Sequence, residues 1–252
     1  MILENSFGKE MMMAKIQCMA KVTEVSVLAE GIVSMWLSAS GVAKSAKPGQ
    51  FISLYCDNSD TLLPRPISLC EVNQKDGLLR IVFRIVGAGT KEFAAKKKDD
   101  EIRILGPLGN GFPLDACEKD KTAVLIGGGI GIPPLLELAK QLPCKTTVVV
   151  GYRNADAFLR EELEEAADRV VIASDDGSIG IKGTVLDAME AEGVTGDCIF
   201  SCGPTPMLRG VKQWAFENRF RRGFQWKKRW RAVLVPVLPV YVSQRKSTHI
   251  QK

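Results

Sequence analysis

One segment, Ala123-Val-Leu-Ile-Gly-Gly-Gly-Ile-Gly-Ile-Pro-Pro134, limits what this chain can fold into more than any other. Its apolar run suits a buried strand, its glycines let the backbone turn tightly and approach a ligand, and its prolines suit the opening of a helix. Strand, glycine loop and helix in that order is the layout that receives a dinucleotide phosphate. The loop is not G-x-G-x-x-G, which points away from the ordinary dinucleotide subtype. Gly127, Gly128, Gly129 and Gly131 are its candidate contacts. Around it, strands are expected at 123–126, 146–150, 170–173 and 198–201, with helices at 133–141, 157–168, 184–192 and from Pro206 to about Asn218. Such alternation predicts a parallel sheet with covering helices over residues 115–218.

Residues 15–114 have a different rhythm. Short apolar or alternating runs fall at 21–27, 32–37, 50–56, 66–72, 78–86 and 101–105. Turn signals such as Lys47-Pro-Gly, Asp57-Asn-Ser-Asp and Lys75-Asp-Gly separate them. Strands at this spacing predict a small barrel or sandwich, with a single helix at 91–98. The fold class is therefore β followed by α/β.

Four further segments carry candidate chemistry. In Arg65-Pro-Ile-Ser68 the guanidinium fork suits a diphosphate, the serine is a short donor and acceptor, and the proline fixes the backbone between them. Val82-Phe-Arg84 leads into Gly87-Ala-Gly-Thr90, where glycine permits close approach to a phosphate and Thr90 is expected to cap the helix 91–98. The segment Ser174-Asp-Asp-Gly follows a strand, and Asp175 there can bond ribose hydroxyls. Cys202-Gly-Pro-Thr-Pro-Met207 also follows a strand and brings Cys202 to the sheet's carboxyl edge, toward a nicotinamide. Taken singly, each also suits an ordinary turn, a solvated loop or a buried small residue.

Composition divides the chain once more. Residues 219–252 hold ten of the 34 Lys and Arg and none of the 29 acids, leaving residues 1–218 with 24 basic groups against 29 acidic ones. The seven cysteines are scattered without a C-x-x-C, which predicts a reduced, cytoplasmic protein. No apolar run is long enough for a membrane span. Residues 1–14 read as an N-terminal extension without the apolar core of a secretory signal, and Met13 and Met19 are alternative starts.

Arg-Pro-x-Ser, Gly-x-Gly-Thr, Gly-Gly-Gly-x-Gly-x-Pro-Pro and Cys-Gly-Pro-x-Pro-Met, in this order, resemble the ferredoxin-reductase superfamily. The variants Leu63-Pro-Arg-Pro-Ile-Ser-Leu69 and Ile85-Val-Gly-Ala-Gly-Thr90 are similar to the electron transfer subunits of type B dihydroorotate dehydrogenases. The resemblance spans about residues 15–218. It implies an FAD-binding β-barrel domain followed by a ferredoxin-reductase-type NAD-binding α/β domain. FAD would be held by Arg65, Pro66, Ile67 and Ser68, by Val82, Phe83 and Arg84, and by Gly89 and Thr90. The glycine loop and Asp175 would serve NAD, and Ser68 and Cys202 would be the candidate catalytic residues. Electrons would pass from the FMN of a catalytic partner subunit through a [2Fe–2S] centre and FAD to NAD, in pyrimidine biosynthesis. The assembly implied is a cytoplasmic heterotetramer with no membrane or nucleic-acid partner. Two alternatives remain open: a reductase subunit for a sulfide, glutamate synthase or hydrogenase partner, or a non-catalytic binding protein.

The family continues into a plant-type C-x4-C-x2-C pattern with a more distant fourth cysteine. Residues 219–252 contain no cysteine and so no ligand for such a cluster. Joining the last base of each codon to the first two of the next, Arg219 to Val242 can encode I-P-A-R-V-S-M-E-E-K-M-A-C-G-V-G-A-C-L-A-C-V-C. The cysteines then straddle codons 231/232, 236/237 and 239/240, and the fourth would lie beyond the tail. The expectation is a tail read out of frame that packs nowhere on the fold. The competing reading is a genuine basic tail, with Trp226 and Trp230 among its charges, for an anionic membrane or nucleic acid.

Overall fold

In the computed structural model, whose described residues are 15–57, 62–221 and 232–236, the N-terminal strands close on themselves. The elements are β1 (Ile16–Ala29), β2 (Ile32–Ser38), α1 (Ser40–Ala43), β3 (Phe51–Leu54), β4 (Arg65–Asn73), β5 (Leu78–Arg84), α2 (Ala88–Ala94) and β6 (Glu101–Leu108). The antiparallel barrel runs β1-β2-β5-β4-β3-β6, and pairing from Ile16↔Gly106 to Lys21↔Glu101 closes it. Period-two alternation sends Met35, Leu37, Ile52, Leu54, Ile81 and Phe83 inward, all essentially without exposure. β1 is longer than its apolar pattern suggests because it serves both β2 and β6. The helix expected at 91–98 begins earlier. Gly87 is its N-cap, and Thr90 lies inside the first turn with Oγ1 accepting from the Gly87 N–H at 3.1 Å. Thr90 therefore does not cap from outside the helix.

The second half contains β7 (Thr122–Gly128), α3 (Pro133–Gln141), β8 (Lys145–Tyr152), α4 (Arg160–Ala166), β9 (Arg169–Ser174), β10 (Ile181–Lys182), α5 (Val185–Ala191), β11 (Cys198–Gly203), α6 (Thr205–Arg221) and β12 (Ala232–Pro236). They form a parallel sheet ordered β10-β9-β8-β7-β11-β12. Its central strands are almost wholly buried, as strands covered on both faces must be. α3 and α4 pack on one face, α5 and α6 on the other. α3 has the bounds its sequence suggests. α4 is shorter than the expected 157–168, because Tyr152 packs edge-on to Phe158 and donates its hydroxyl hydrogen bond to the Phe158 carbonyl at 2.8 Å. Leu159 then turns the chain with φ +61° before the helix starts.

The expectation that residues 219–252 pack nowhere is not met at two places. α6 continues to Arg221, and Ala232–Pro236 pair in parallel with β11 from Ile199↔Ala232 to Gly203↔Pro236. Sheet edges present unpaired backbone groups, and a short apolar segment rich in β-formers satisfies them. Residues 1–14 and the tryptophans Trp226 and Trp230 lie outside the described residues.

Candidate functional site

Arg65 opens β4 opposite Leu54, and Ser68 stands opposite Phe51. Arg65, Ile67 and Ser68 are half-buried and Pro66 is exposed. The Arg65 guanidinium donates to the Leu63 carbonyl and lies against α2, where a Cβ on Gly89 would stand 3.0 Å from Arg65 Nε and 3.0 Å from Cys56 Sγ. Glycine at 89 is thus what lets the first turn of α2 and the guanidinium share one place. Leu62 and Leu63, just before Arg65 in the chain, and Val86, just before α2, are exposed apolar side chains. A half-buried cation with a backbone turn free of side chain beside it fits the anionic part of a ligand. Within Val82–Arg84 the roles divide. Phe83 points into the barrel, edge-on to Phe93 at 6.4 Å, and so offers a ligand only its backbone. Val82 faces the α/β half and is buried in its hydrophobic cluster, while Arg84 is half-buried at the end of β5.

At the sheet, β8 and β9 extend to one side of β7 and β11 to the other, so the carboxyl ends of β7 and β11 flank a topological switch point. Gly127 and Gly128 end β7 there, the turn Gly129–Gly131 follows, and Cys202 pairs with Gly127 across the strands. Three of the four glycines are filled by protein. A Cβ would come 2.8 Å from Leu135 at Gly127, 2.6 Å from Met207 Sδ at Gly128, and 2.2 Å from the Cys202 carbonyl oxygen at Gly131. Gly129, with φ +53° and nothing within 4 Å of a Cβ, faces open space. Of the four, Gly129 alone leaves open space for close approach, and the other three seat the segment on β11, α3 and α6. Burial pushes the Cys202 thiol up to about 12, so at neutral pH it is a protonated, packed group rather than a thiolate.

The loop after β9 is built by its own side chains. Ser174 Oγ accepts from the Ile179 N–H at 3.1 Å and donates to the Ile179 carbonyl at 2.6 Å. Asp176 is engaged by Ser178, and Asp175 is exposed beside them. Among the described residues no group of three or more His, Cys, Asp and Glu is placed to hold a metal ion. No helix there is long and apolar enough to cross a membrane.

Apart from Val82, the two halves meet through residues that carry no motif. Ile32, Cys70 and Val82 of the barrel join the hydrophobic cluster of the sheet's α3 face. The connecting segment is pinned to both sides. Gln50 Nε2 donates to Gly109, the Phe112 N–H donates to Pro48, and the Phe112 ring sits edge-on to Phe200 at 5.9 Å. A polar array lies beside this contact. Arg80 pairs with Glu71 at 2.5 Å, bonds Ser34 Oγ at 2.8 Å and reaches Glu162 of α4 at 3.4 Å, while Lys140 of α3 pairs with Glu71. Glu137, buried in α3, accepts from the Val72 N–H at 2.8 Å. Burial raises the Glu137 carboxyl above the ordinary glutamate range against the pull of that bond. For Glu71, burial also pulls upward, but the Lys140 and Arg80 bonds prevail and leave it lowered. The one sequence signal for this interface is an acid set between leucines, Leu136-Glu-Leu138, in the otherwise apolar stretch 133–139 of α3.

No family model matches the chain. It is similar to the dihydroorotate dehydrogenase B (NAD(+)) electron transfer subunit of Geobacillus kaustophilus, 43% identical over 197 residues that cover 77% of this chain and 76% of the relative. The protein of the same description from Bacillus caldolyticus is 42% identical over 77% and 76%. Among solved structures it is similar to an NADH-dependent reduced ferredoxin-NADP oxidoreductase, with TM-score 0.70 and 30% identity over 78% of this chain and 72% of that one. A ferredoxin NADP+ reductase from Neisseria gonorrhoeae, with bound FAD and NADP, shares the fold at TM-score 0.70 and 16% identity, over 87% of this chain and 98% of that one.

Proposed function

The chain belongs to the family of dihydroorotate dehydrogenase B (NAD(+)) electron transfer subunits, and from that premise we infer that it is a flavoprotein joining a partner's redox centre to NAD. FAD would bind on the barrel at Arg65–Ser68 and Gly89–Thr90, and NAD at the switch point of the sheet. Bound FAD supplies exchange between hydride and single electrons, which no side chain can. The chain's own part is to bind, orient and shield. Arg65 neutralises the diphosphate, Gly89 admits it, Ser68 lies along the strand toward the flavin, and Gly129 lets the nicotinamide nucleotide approach the loop. Asp175 is the acid for ribose. Cys202, held protonated, serves as a neutral packed group at the nicotinamide end.

The observation that carries this reading is that Arg65 and Gly89, distant in sequence, share one place on the barrel. The barrel strands that bear the flavin motifs also pack on the turn and helix that follow β7. The partner would be an FMN-bearing catalytic subunit, in a cytoplasmic heterotetramer. The scattered, unpaired cysteines support a reducing compartment. Residues 219–252 are, on the same reading, a product of a shifted frame that replaces the [2Fe–2S] segment. Their lack of cysteine and the codon string above support it.

Stopped-flow mixing of the FAD-loaded chain with NADH tests the central step. The flavin absorbance should bleach in a saturable, NADH-dependent phase, and no bleaching at full FAD occupancy would end the hydride-transfer reading.

A further inference from the structure

A carboxylate is costly to bury, and Glu137 is only 5% exposed within Leu135, Leu136 and Leu138 of α3. Its surroundings show what it is used for. β3 accompanies β4 only from Leu54↔Arg65 to Phe51↔Ser68, after which the Leu69 N–H takes the Gln50 carbonyl at 2.9 Å. Beyond that point β4 keeps β5 on one side but has lost β3 on the other, and the Val72 N–H is received at 2.8 Å by Glu137 Oε2 instead. Gln141, one turn along α3, donates to the other oxygen and sets the carboxylate's orientation. Val72 lies on the same strand as Arg65 and Ser68, and Glu137 lies on the helix that opens directly after the Gly127–Gly131 loop. One side chain therefore bonds the flavin-side strand to the nucleotide-side helix. Lys140, on the same helix, adds a second tie to Glu71 of β4.

We propose that Glu137 is a positioning residue: by completing the ladder of β4 from α3 it fixes the barrel's flavin motifs relative to the glycine loop. This rests on the flavin and NAD sites inferred above. Fixing two reactants to within a fraction of an ångström governs a transfer rate far more than it governs either affinity. A side chain that sets register between the two halves should therefore act on the limiting rate and leave FAD binding alone.

The test compares Glu137→Ala and Glu137→Gln in the full chain carrying its FAD. Glutamine keeps an oxygen for the Val72 N–H, and alanine does not. Glu137→Ala should keep its flavin while the limiting rate of reduction by NADH falls roughly tenfold or more, and Glu137→Gln should retain most of it. Amide exchange at Val72 should speed up in the alanine variant only. Lys140→Met, at a side chain 41% exposed, loosens the second tie without emptying the interface and should show the same split at roughly two- to fivefold. An unchanged limiting rate in Glu137→Ala, or in Lys140→Met should the alanine variant not fold, overturns the proposal. So does a loss of FAD that accounts for the whole effect. A wild-type chain that holds FAD and is not reduced by NADH would instead sink the functional reading on which this rests.

Discussion

Arg65 and the glycines at the end of β7 and in the turn after it show how far single residues are legible in sequence. The Arg-Pro-x-Ser motif identified a guanidinium, and the structure supplies its setting against Gly89. Losing a charge-assisted hydrogen bond costs about 1.5–3 kcal/mol, so Arg65→Ala should weaken FAD retention by roughly ten- to a hundredfold, read from flavin release on dilution. Unchanged affinity would remove Arg65 from the site. The four glycines looked alike in sequence, because a motif records which residue is present and not what surrounds it. In the fold, a Cβ at 131 would press on the backbone of Cys202 and Gly203, whereas one at 129 would meet nothing. Gly131→Ala should therefore lower the urea midpoint, by about 1–3 kcal/mol of stability from overpacking. Gly129→Ala should cost only the conformational penalty of about 1–2 kcal/mol for a left-handed residue and should chiefly weaken NADH binding. If both variants weaken only NADH binding, the division of labour drawn from the packing is wrong.

Elements were legible where their signals are local. α3 follows from prolines at its start and an apolar face, and the barrel strands from their alternation. Legibility ended where tertiary partners decide. α2 begins at Ala88 with Gly87 at its N-cap position, and Thr90, the residue that looks like a cap, accepts from the Gly87 N–H from inside the first turn. β10 is two residues long and exists only through its pairing with Ala173 and Ser174. The Glu137 bond to β4 joins residues far apart in sequence and leaves no pattern beyond a lone acid among leucines. α5 is the opposite case, since Thr184 and Asp187 close a capping box across its first turn. Backbone and hydroxyl bonds from Thr184 hold the Asp187 carboxyl below the usual aspartate value. A lowered carboxylate stabilises the fold above its unfolded value of 3.8, and that contribution is lost as pH falls through the folded value. Thr184→Ala should cost about 1 kcal/mol at neutral pH, and the difference from wild type should narrow below pH 3.8. A gap in urea midpoints that stays constant down to strong acid would show that the box contributes nothing through Asp187.

Across the whole molecule, the abrupt change of charge after residue 218 separates a fold of matched parts from a basic tail. The tail's only described strand, Ala232–Pro236, lies along β11. Parallel pairing asks little of a segment beyond apolar β-forming residues, so this strand does not show that the tail was selected for the site it fills. The same stretch of codons cannot provide both features. In the shifted frame the codons from 231 to 237 can spell C-G-V-G-A-C, which would hold the first two cysteines of the iron–sulfur pattern in place of the apolar strand. A chain that carries β12 therefore gives up the cluster ligands. The protein as read here should contain no iron and no acid-labile sulfide, and should fail to carry electrons from dihydroorotate to NAD when mixed with an FMN-bearing partner. NADH should still reduce its flavin, because the barrel, the glycine loop and the bond between β4 and α3 all lie before the tail. Restoring the frame at about Asn218 should bring back iron, sulfide and the dihydroorotate-linked activity together, while β11 loses its present neighbour. The gene sequence decides first: if the shifted frame does not spell C-x4-C-x2-C, the frame explanation is finished. Iron and sulfide in the present chain as isolated would finish it equally, because residues 219–252 hold no cysteine to bind them.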